Sequence, residues 1–161
     1  MADARFLNPA HEAPAAAQLP AIDTWFGTFT YDPAKIVTLP QGPVGYTEHN
    51  RFIFLDVPGA ESGWFKIFQC LDDPKLAFIT IPAAAVGHPI DDDDLQNAAH
   101  TCGITLESLA TVLIVAVPKD GSGTGQKTVN TRAPILIDVA NQEGHQVVLS
   151  NTKYAVQMPL S

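Results

Sequence analysis

Short stretches rich in β-branched and aromatic residues recur along this chain, and turn-forming residues separate each stretch from the next. Val, Ile, Thr and aromatic side chains suit a pleated, half-buried strand, whereas Gly, Pro, Asn and Asp suit turns. Many short strands at fairly even spacing predict an all-β fold, an antiparallel barrel or sandwich. The predicted strands span residues 24–31, 35–39, 51–57, 64–70, 76–81, 111–117, 133–139 and 145–150.

The last two predicted strands are joined by the sequence ANQEG, at residues 140–144. A tight turn often needs a positive φ, which glycine adopts without strain, so we expect it at Gly144. Because side chains alternate along a strand, Ile137 lies on the opposite face from Leu136 and Asp138. The charge of Asp138 predicts that its face is the wetter one.

One segment, IDDDDLQNAAHTCGI, departs from the strand pattern and predicts a short helix. Asp91 suits the N-cap, the next three carboxylates suit the positive end of the helix dipole, and Gly103 suits the left-handed position after the C-terminus. Carboxylate clusters also suit Ca²⁺ or Mg²⁺. Successive helical side chains point about 100° apart, however, so neighbouring Asp side chains do not converge on one ion. We therefore expect no metal site.

The charge balance limits the partners of this chain. Its 161 residues carry 17 acidic and 9 basic side chains, a formal net charge of −8. Binding to a nucleic-acid backbone draws most of its affinity from Lys and Arg, so direct nucleic-acid binding is not expected. The acidic balance fits a basic protein partner, and solubility alone explains it equally well.

Several features indicate one cytoplasmic domain that does not enter a membrane. The apolar share of 46% and charged share of 16% suit a single globular core. No apolar run approaches the roughly 20 residues of a membrane helix. Cys70 and Cys102 are too few for a disulfide framework and read as reduced thiols. Residues 1–21, rich in Ala and Pro, predict a disordered tail, and residues 22–161 the single domain.

The sequence VPKDGSGTGQKT, at residues 117–128, has letters like those of a phosphate-binding loop. Gln126 stands where that motif requires its second glycine. A phosphate loop also leads into a helix, whose N-terminal N–H groups face the anion. The residues from Thr128 onwards read as strand, so we interpret the segment as an ordinary loop. With no nucleophile elbow and no zinc-protease motif, the sequence predicts neither an enzyme nor a cofactor site.

Three stretches, in their order and spacing, resemble the flagellar assembly factor family FliW. The C-terminal stretch carries most of the resemblance, through a matching Asn130, Ala133-Pro134 and the run Gln146-Val147-Val148-Leu149. The resemblance covers about residues 22–160. The three stretches are LPQGPVGYTEHNRFIFLD (39–56), WFKIFQCLDDPKLAFITIP (64–82) and TVNTRAPILIDVANQEGHQVVLSNTKYAVQMPL (128–160).

This resemblance implies a small antiparallel β-barrel with one or two short helices and no enzymatic activity. It also implies a protein that binds flagellin in the cytoplasm, or alternatively binds the RNA-binding regulator CsrA and keeps it from repressing flagellin translation. We expect the free protein to be a monomer.

Most of the matched residues have a structural interpretation, with glycines serving backbone geometry and aliphatics the core. A minority should form the partner surface, because exposed polar and aromatic side chains serve recognition. A small-ligand-binding barrel is the alternative function. An interior filled by large aliphatics would favour protein binding, and a polar-lined cavity would favour the ligand. The candidate partner-binding residues, all expected to be exposed, are Asn130, Arg132, Gln146, Asn151 and Tyr154.

Overall fold

The computed structural model describes residues 19–61, 63–117 and 126–160, which form eleven strands, one α-helix and three short 3-10 turns. The helix is α1 (Asp92–Thr101), and the 3-10 turns lie at Pro33–Lys35, Ala83–Val86 and Leu106–Ser108. The strands are β1 (Ala21–Thr24), β2 (Gly27–Thr30), β3 (Val37–Thr38), β4 (Arg51–Asp56), β5 (Lys66–Cys70), β6 (Ala77–Pro82), β7 (Leu109–Ala116), β8 (Thr128–Val129), β9 (Ile135–Asp138), β10 (Glu143–Gln146) and β11 (Met158–Pro159).

Seven of the strands close into a barrel in the order β7, β6, β5, β4, β3, β10, β9 and back to β7. Every pairing is antiparallel except β10 with β3, whose single bridge is parallel. The long strand β7 closes the barrel through its first half, which pairs with β9. Its second half pairs with β8, outside the closed ring. The predicted all-β barrel with a short helix is confirmed.

Aromatic side chains fill the barrel interior. Phe52 and Phe68, both fully buried, stack with ring centroids 4.7 Å apart, and Phe54 lies 4.5 Å from Phe68. Fully burying one such side chain contributes roughly 1.5–3 kcal/mol. Further interior side chains come from Val37, Leu39, Cys70, Ile135 and Ile137.

Two further layers cover the outside of the barrel. Helix α1 buries Ala98 and Ala99 in a cluster with β6, β7 and β9. On another side, Phe29 of the β1–β2 hairpin packs with Ile53 and Ile67. Because both faces of β4 to β7 and β9 are largely covered, these strands read as nearly continuous apolar runs.

The β1–β2 hairpin corrects the prediction of one strand over residues 24–31. The chain reverses at Trp25-Phe26, so the predicted strand is the second half of a hairpin that begins at Ala21. The Thr24 hydroxyl accepts from the Phe26 N–H and donates to the Gly27 carbonyl, which stabilises the turn. Gly27 has φ +117°, where a side chain would be strained.

The β9–β10 turn corrects two further expectations. The positive φ falls on Gln142 (52°) and not on Gly144. Gly144 is closely packed instead, because a Cβ there would lie 3.2 Å from a methyl group of Leu39, which would have to shift slightly. The face that carries Asp138 is not wet throughout, because Leu136 on that face is fully buried under the α1 layer.

Helix α1 begins and ends as predicted, but its acidic first turn bonds differently. Gly103 adopts φ +73° after the C-terminus. Asp91 occupies the N-cap position without a side-chain hydrogen bond to the helix, and its carboxylate pairs with Lys153. Asp92 and Asp93 remain exposed beside the helix N-terminus, where their charge is favourable.

Two predicted segments lie wholly or mainly outside the described residues. The tail predicted at 1–21 enters them only at residue 19, and Ala21 already pairs with Thr30. The Gly-rich loop lies outside at residues 118–125, and the segment that follows it is the strand β8, as predicted. Over 19–61, 63–117 and 126–160, no helix has the length and apolar character of a membrane span.

Candidate functional site

Four of the five candidate residues lie on one two-stranded ribbon, residues 130–135 and 146–151, called here the C-terminal ribbon. The β9–β10 register pairs Gln146 with Ile135. Beyond that pair, the Val147 N–H donates to the Pro134 carbonyl at 3.0 Å and the Leu149 N–H to Arg132 at 2.8 Å. The register therefore continues past β10.

Gln146 connects the C-terminal ribbon to the loop between β3 and β4. Its Oε1 accepts from the Val44 N–H at 2.8 Å, and its Nε2 donates to the Ala133 carbonyl at 3.1 Å. The side chain is half-buried, so the predicted exposure is only partial. Both ends of the amide are occupied, and this gives Gln146 a structural role.

Of the other ribbon candidates, only Asn151 is exposed. Its Oδ1 accepts from the Lys153 N–H at 3.0 Å in a local turn. Asn130 is half-buried and accepts from the Ala133 N–H at 3.0 Å. Arg132 is also half-buried, and its Nε is buried with no hydrogen-bond partner among the residues that the structure describes.

Tyr154 was predicted to be exposed, and that prediction is wrong. The side chain is 5% exposed and packs in the α1 layer. Its hydroxyl donates to the Asp94 carboxylate at 2.5 Å and accepts from the Asp91 N–H at 3.0 Å. Burial, and then the hydrogen bond to Asp94, raise the pKa of Tyr154. Tyr154 therefore fastens the end of the ribbon to the first turn of α1.

Lys153, next to Tyr154, strengthens the same junction. Its ammonium group pairs with the Asp91 carboxylate, and this hydrogen bond raises the pKa of Lys153. The ammonium nitrogen also lies 5.3 Å from the centre of the Tyr154 ring, within cation–π range.

A groove of about 290 Å³ runs between α1 and the second strand of the C-terminal ribbon. One wall is a single face of α1, at positions 94, 97, 98 and 101, which share the helical spacing of i, i+3, i+4 and i+7. The other wall is residues 147–151. We call this surface the edge groove. Of the five candidates only Asn151 lines it, and the residues missed from the sequence are Asp94, Asn97, Thr101 and Val148.

Exposed Val148 was the one sequence signal for this groove. It lies between Val147 and Leu149, which both pack in the α1 layer, yet 58% of its surface is exposed. An exposed apolar residue between two inward-facing ones is a candidate contact. In the sequence alone, however, three consecutive apolar residues are also typical of a strand that is buried on both faces.

The barrel mouth, at the opposite end of β9, forms a second cavity of about 360 Å³. Its lining is almost entirely apolar, and the larger contributors are Phe54, Val112, Ile137 and Val139. The polar-lined interior that would favour a small ligand is not present among the described residues, whose barrel interior is filled by aromatic and aliphatic side chains. By the criterion derived from the sequence, this filling favours protein binding.

Two exposed tryptophans were also missed as candidate contacts. Trp25 at the β1–β2 turn is 79% exposed, and Trp64 before β5 is 67% exposed. Tryptophan is enriched among residues that anchor protein interfaces. Both were assigned from the sequence to strands, where their rings would have been expected to pack.

Several matched motif residues have structural roles. The buried Gln69 donates through Nε2 to three carbonyls of the β5–β6 turn, at 2.9 to 3.1 Å. Asn50 and Arg51 both donate backbone N–H groups to the Asp72 carboxylate. Gly42 and Gly45 adopt φ +66° and +87° in the β3–β4 loop.

The side chains that could ligate a metal are not clustered in the described part of the chain. Over the described ranges, no three His, Cys, Asp or Glu side chains are placed to hold a metal ion. Burial raises the pKa of both thiols, Cys70 in the barrel interior and the half-buried Cys102, and so disfavours the reactive thiolate. The fold and its surfaces define a small β-barrel with a filled interior and with recesses on its outside, the edge groove and the barrel mouth among them.

Comparison with known proteins gives this barrel its family. The family model described as FliW protein matches residues 21–160. The chain belongs to the FliW family. It is 28% identical over 138 residues to the flagellar assembly factor FliW of Clostridium beijerinckii, covering 83% of this chain and 92% of that protein. It is 33% identical over 136 residues to the same factor of a Geobacillus species, covering 81% and 87%.

The fold agrees with a solved member of the family. A crystal structure of the flagellar assembly factor FliW superposes with a TM-score of 0.71 at 30% sequence identity. The match covers 88% of this chain and 96% of that one, so the similarity includes the whole barrel. A relative from Desulfotalea psychrophila, FliW 2, is 31% identical over 141 residues, covering 86% of this chain and 89% of that protein.

Proposed function

We propose that this protein is a non-enzymatic flagellar assembly factor of the cytoplasm, which binds flagellin and, alternatively, the translational regulator CsrA. When flagellin is abundant it occupies the protein and leaves CsrA free to repress flagellin translation. When flagellin is exported, the protein takes up CsrA and translation resumes. The amount of unbound flagellin thereby sets its own synthesis.

The observation that carries this proposal is the match to the FliW family over residues 21–160, which spans the whole described barrel. The relatives are named flagellar assembly factors, and this supports a role for the protein in flagellar assembly. The filled interior supports recognition at the outer surface over storage of a ligand.

The charge of the chain supports a basic partner. With a net charge of −8, the protein attracts a regulator whose basic groups serve RNA binding. Long-range attraction of this kind acts mainly on association, so raising the salt concentration should slow binding more than it speeds release. Neither proposed reaction needs a metal or a nucleotide, so a chelator should leave binding unchanged.

A competition experiment tests the proposal. The purified protein is saturated with CsrA from the same organism, flagellin monomer is added in excess, and released CsrA is measured by its shift of the flagellin leader RNA in a gel. We expect free protein to remove CsrA from the RNA and added flagellin to restore it. If excess flagellin leaves bound CsrA in place, the two partners do not share one surface. If neither partner binds, the assigned function is wrong.

A pair of matched variants locates the shared surface. Asn151→Ala truncates the one exposed candidate of the C-terminal ribbon and should weaken partner binding by above about 1 kcal/mol if Asn151 is an anchor. Asn141→Ala makes the same change at an exposed position of the β9–β10 turn and should leave binding unchanged. Equal effects of the two variants on the affinity in calorimetric titrations would show that Asn151 and its part of the ribbon do not contact the partner.

A further inference from the structure

The outer edge of the C-terminal ribbon carries unused backbone hydrogen-bonding groups. Val147 and Leu149 direct their N–H groups to the first ribbon strand. In an extended chain Val148, which lies between them, directs its N–H and C=O groups to the opposite side, and Ser150 follows it at the same spacing where the chain begins to bend. The Val148 and Ser150 N–H groups have no hydrogen-bond partner within 19–61, 63–117 and 126–160. This is the row of donors and acceptors that another strand can pair with.

That free edge lines the edge groove, next to helix α1. Val148 and Ser150 line the groove together with Asn97 and Thr101 of the helix. The helical face from residue 94 to 101 is about 10 Å long at 1.5 Å per residue, the length of about three residues of extended chain. A strand edge flanked by a helix is the geometry in which domains bind an extended peptide by adding it to a sheet.

The groove selects by charge at one end. Tyr154 bonds to Asp94, and Lys153 pairs with Asp91, so the Asn151 end of the groove lies beside the first turn of α1. The Asp94 carboxylate uses one oxygen for Tyr154, and in the described part of the chain its other oxygen has no partner. Asp92 and Asp93 add negative charge nearby.

We propose that the edge groove binds an extended segment of a partner protein as an added β-strand. The segment places a Lys or Arg beside Asp94 and, on its other face, a β-branched or apolar residue beside Val148, its cross-strand neighbour. Backbone pairing with Val148 and Ser150 supplies the affinity, and the basic side chain fixes the register. The proposal rests on the proposed function only for the identity of the partner, which the acidic end of the groove makes the basic regulator, CsrA.

Residue-resolved amide exchange by NMR tests the pairing directly. In the free protein the Val148 and Ser150 amides should exchange rapidly, while those of Val147 and Leu149 are already protected. The probes are flagellin, CsrA and an end-blocked peptide of sequence Thr-Val-Lys-Val-Thr-Val, each added to saturation. A newly formed strand pairing should slow exchange at Val148 and Ser150 by at least about tenfold.

Two matched pairs of variants test the walls of the groove. Asn97→Trp fills the groove and should weaken binding by at least about tenfold, whereas Gln96→Trp, on an exposed neighbouring position that does not line the groove, should change it by less than about twofold. Asp94→Asn keeps an acceptor for Tyr154 but removes the charge, and should weaken binding about two- to fivefold. Asp93→Asn removes the same charge outside the groove and should have a smaller effect.

The outcomes separate this proposal from the proposed function. If flagellin or CsrA binds while the Val148 and Ser150 amides still exchange rapidly, the groove is not the site and the function stands. If only the peptide slows those amides, the groove binds strands and the assignment of partners is wrong. If no probe slows them, or if they already exchange slowly in the free protein, the proposal is overturned.

Discussion

The Tyr154 hydroxyl should make a measurable contribution to folding, because it joins two parts of the chain that are otherwise held by side-chain packing and the Lys153–Asp91 ion pair. It donates to the Asp94 carboxylate at 2.5 Å and accepts from the Asp91 N–H at 3.0 Å, across 60 and 63 residues of sequence. A hydrogen bond to a charged group contributes roughly 1.5–3 kcal/mol. Tyr154→Phe keeps the buried ring and removes only the hydroxyl, so we expect the free energy of unfolding to fall by about that amount.

Urea denaturation measured by tryptophan fluorescence gives this free energy by linear extrapolation. Tyr31→Phe is the matched control, because Tyr31 is half-buried and its hydroxyl has no hydrogen-bond partner among the described residues. It should change stability by less than about 0.5 kcal/mol. Equal midpoints for Tyr154→Phe and Tyr31→Phe, at unchanged slope, would show that water replaces the Tyr154 contacts at no cost.

The same hydroxyl predicts a dependence of stability on pH. The pKa of Tyr154 is raised above its usual value of 10.0, by burial first and then by the hydrogen bond to Asp94. The folded state therefore holds its proton where the unfolded state has lost it. The associated stability is complete below pH 10 and is lost as the pH rises through the folded-state pKa. Wild-type protein should lose stability above pH 10 more steeply than Tyr154→Phe, and parallel profiles would contradict this.

Five other substitutions test the Asp72 carboxylate, the two covered faces of β9 and the β3–β4 loop. Burial alone would raise the pKa of Asp72, but the hydrogen bonds from Arg51 and Asn50 outweigh burial and lower that pKa. The stability that Asp72 contributes is therefore complete above its usual pKa of 3.8 and is lost as the pH falls through the lower, folded-state pKa. Asp72→Asn should cost about 1–3 kcal/mol at pH 7 and flatten acid denaturation, and an unchanged acid profile would contradict this. Leu136→Ala and Ile137→Ala should each cost about 2–5 kcal/mol in denaturant melts, because both faces of β9 are buried. A small effect of Leu136→Ala would show instead that only the Ile137 face of β9 is well packed. Gly45→Ala should cost about 1–2 kcal/mol for its φ alone. Gly42→Ala should cost more, because its Cβ would also collide with the Tyr46 carbonyl, and equal thermal shifts for the two would argue against that collision.

The enrichment in β-branched and aromatic residues between turn residues was sufficient to predict most of the barrel strands, because both are local signals. The same locality explains why the β1–β2 hairpin was misread. Its turn carries Trp25 and Phe26, residues typical of strands, and the Thr24 hydroxyl supplies the turn hydrogen bonds. The strand propensities of neighbouring residues do not reveal a chain reversal whose hydrogen bonds come from a side chain.

The candidate site was predicted less well, because exposure depends on which layer covers a strand. The five candidates were chosen as polar or aromatic residues of a matching stretch, and four of them lie together on the C-terminal ribbon. Tyr154 was expected outside because its phenol is polar, yet that hydroxyl is what allows it to be buried against Asp94. Nothing in the sequence places α1 beside residues 147–151, so the position of Asn97 and Thr101 in the groove could not be predicted.

The parallel contact between β10 and β3 has a consequence for how this chain folds during synthesis. Closure joins segments that are far apart in sequence. Gln142 donates to the Ala34 and Ile36 carbonyls over 108 and 106 residues, and the Val44 N–H reaches Gln146 over 102. Contacts of such long range form late and slowly, because chain entropy opposes them. The meander from β3 to β7 can assemble on the ribosome, but the outer edge of β3 stays unpaired until β10 has emerged, and until then a chaperone or a neighbouring nascent chain can reach it.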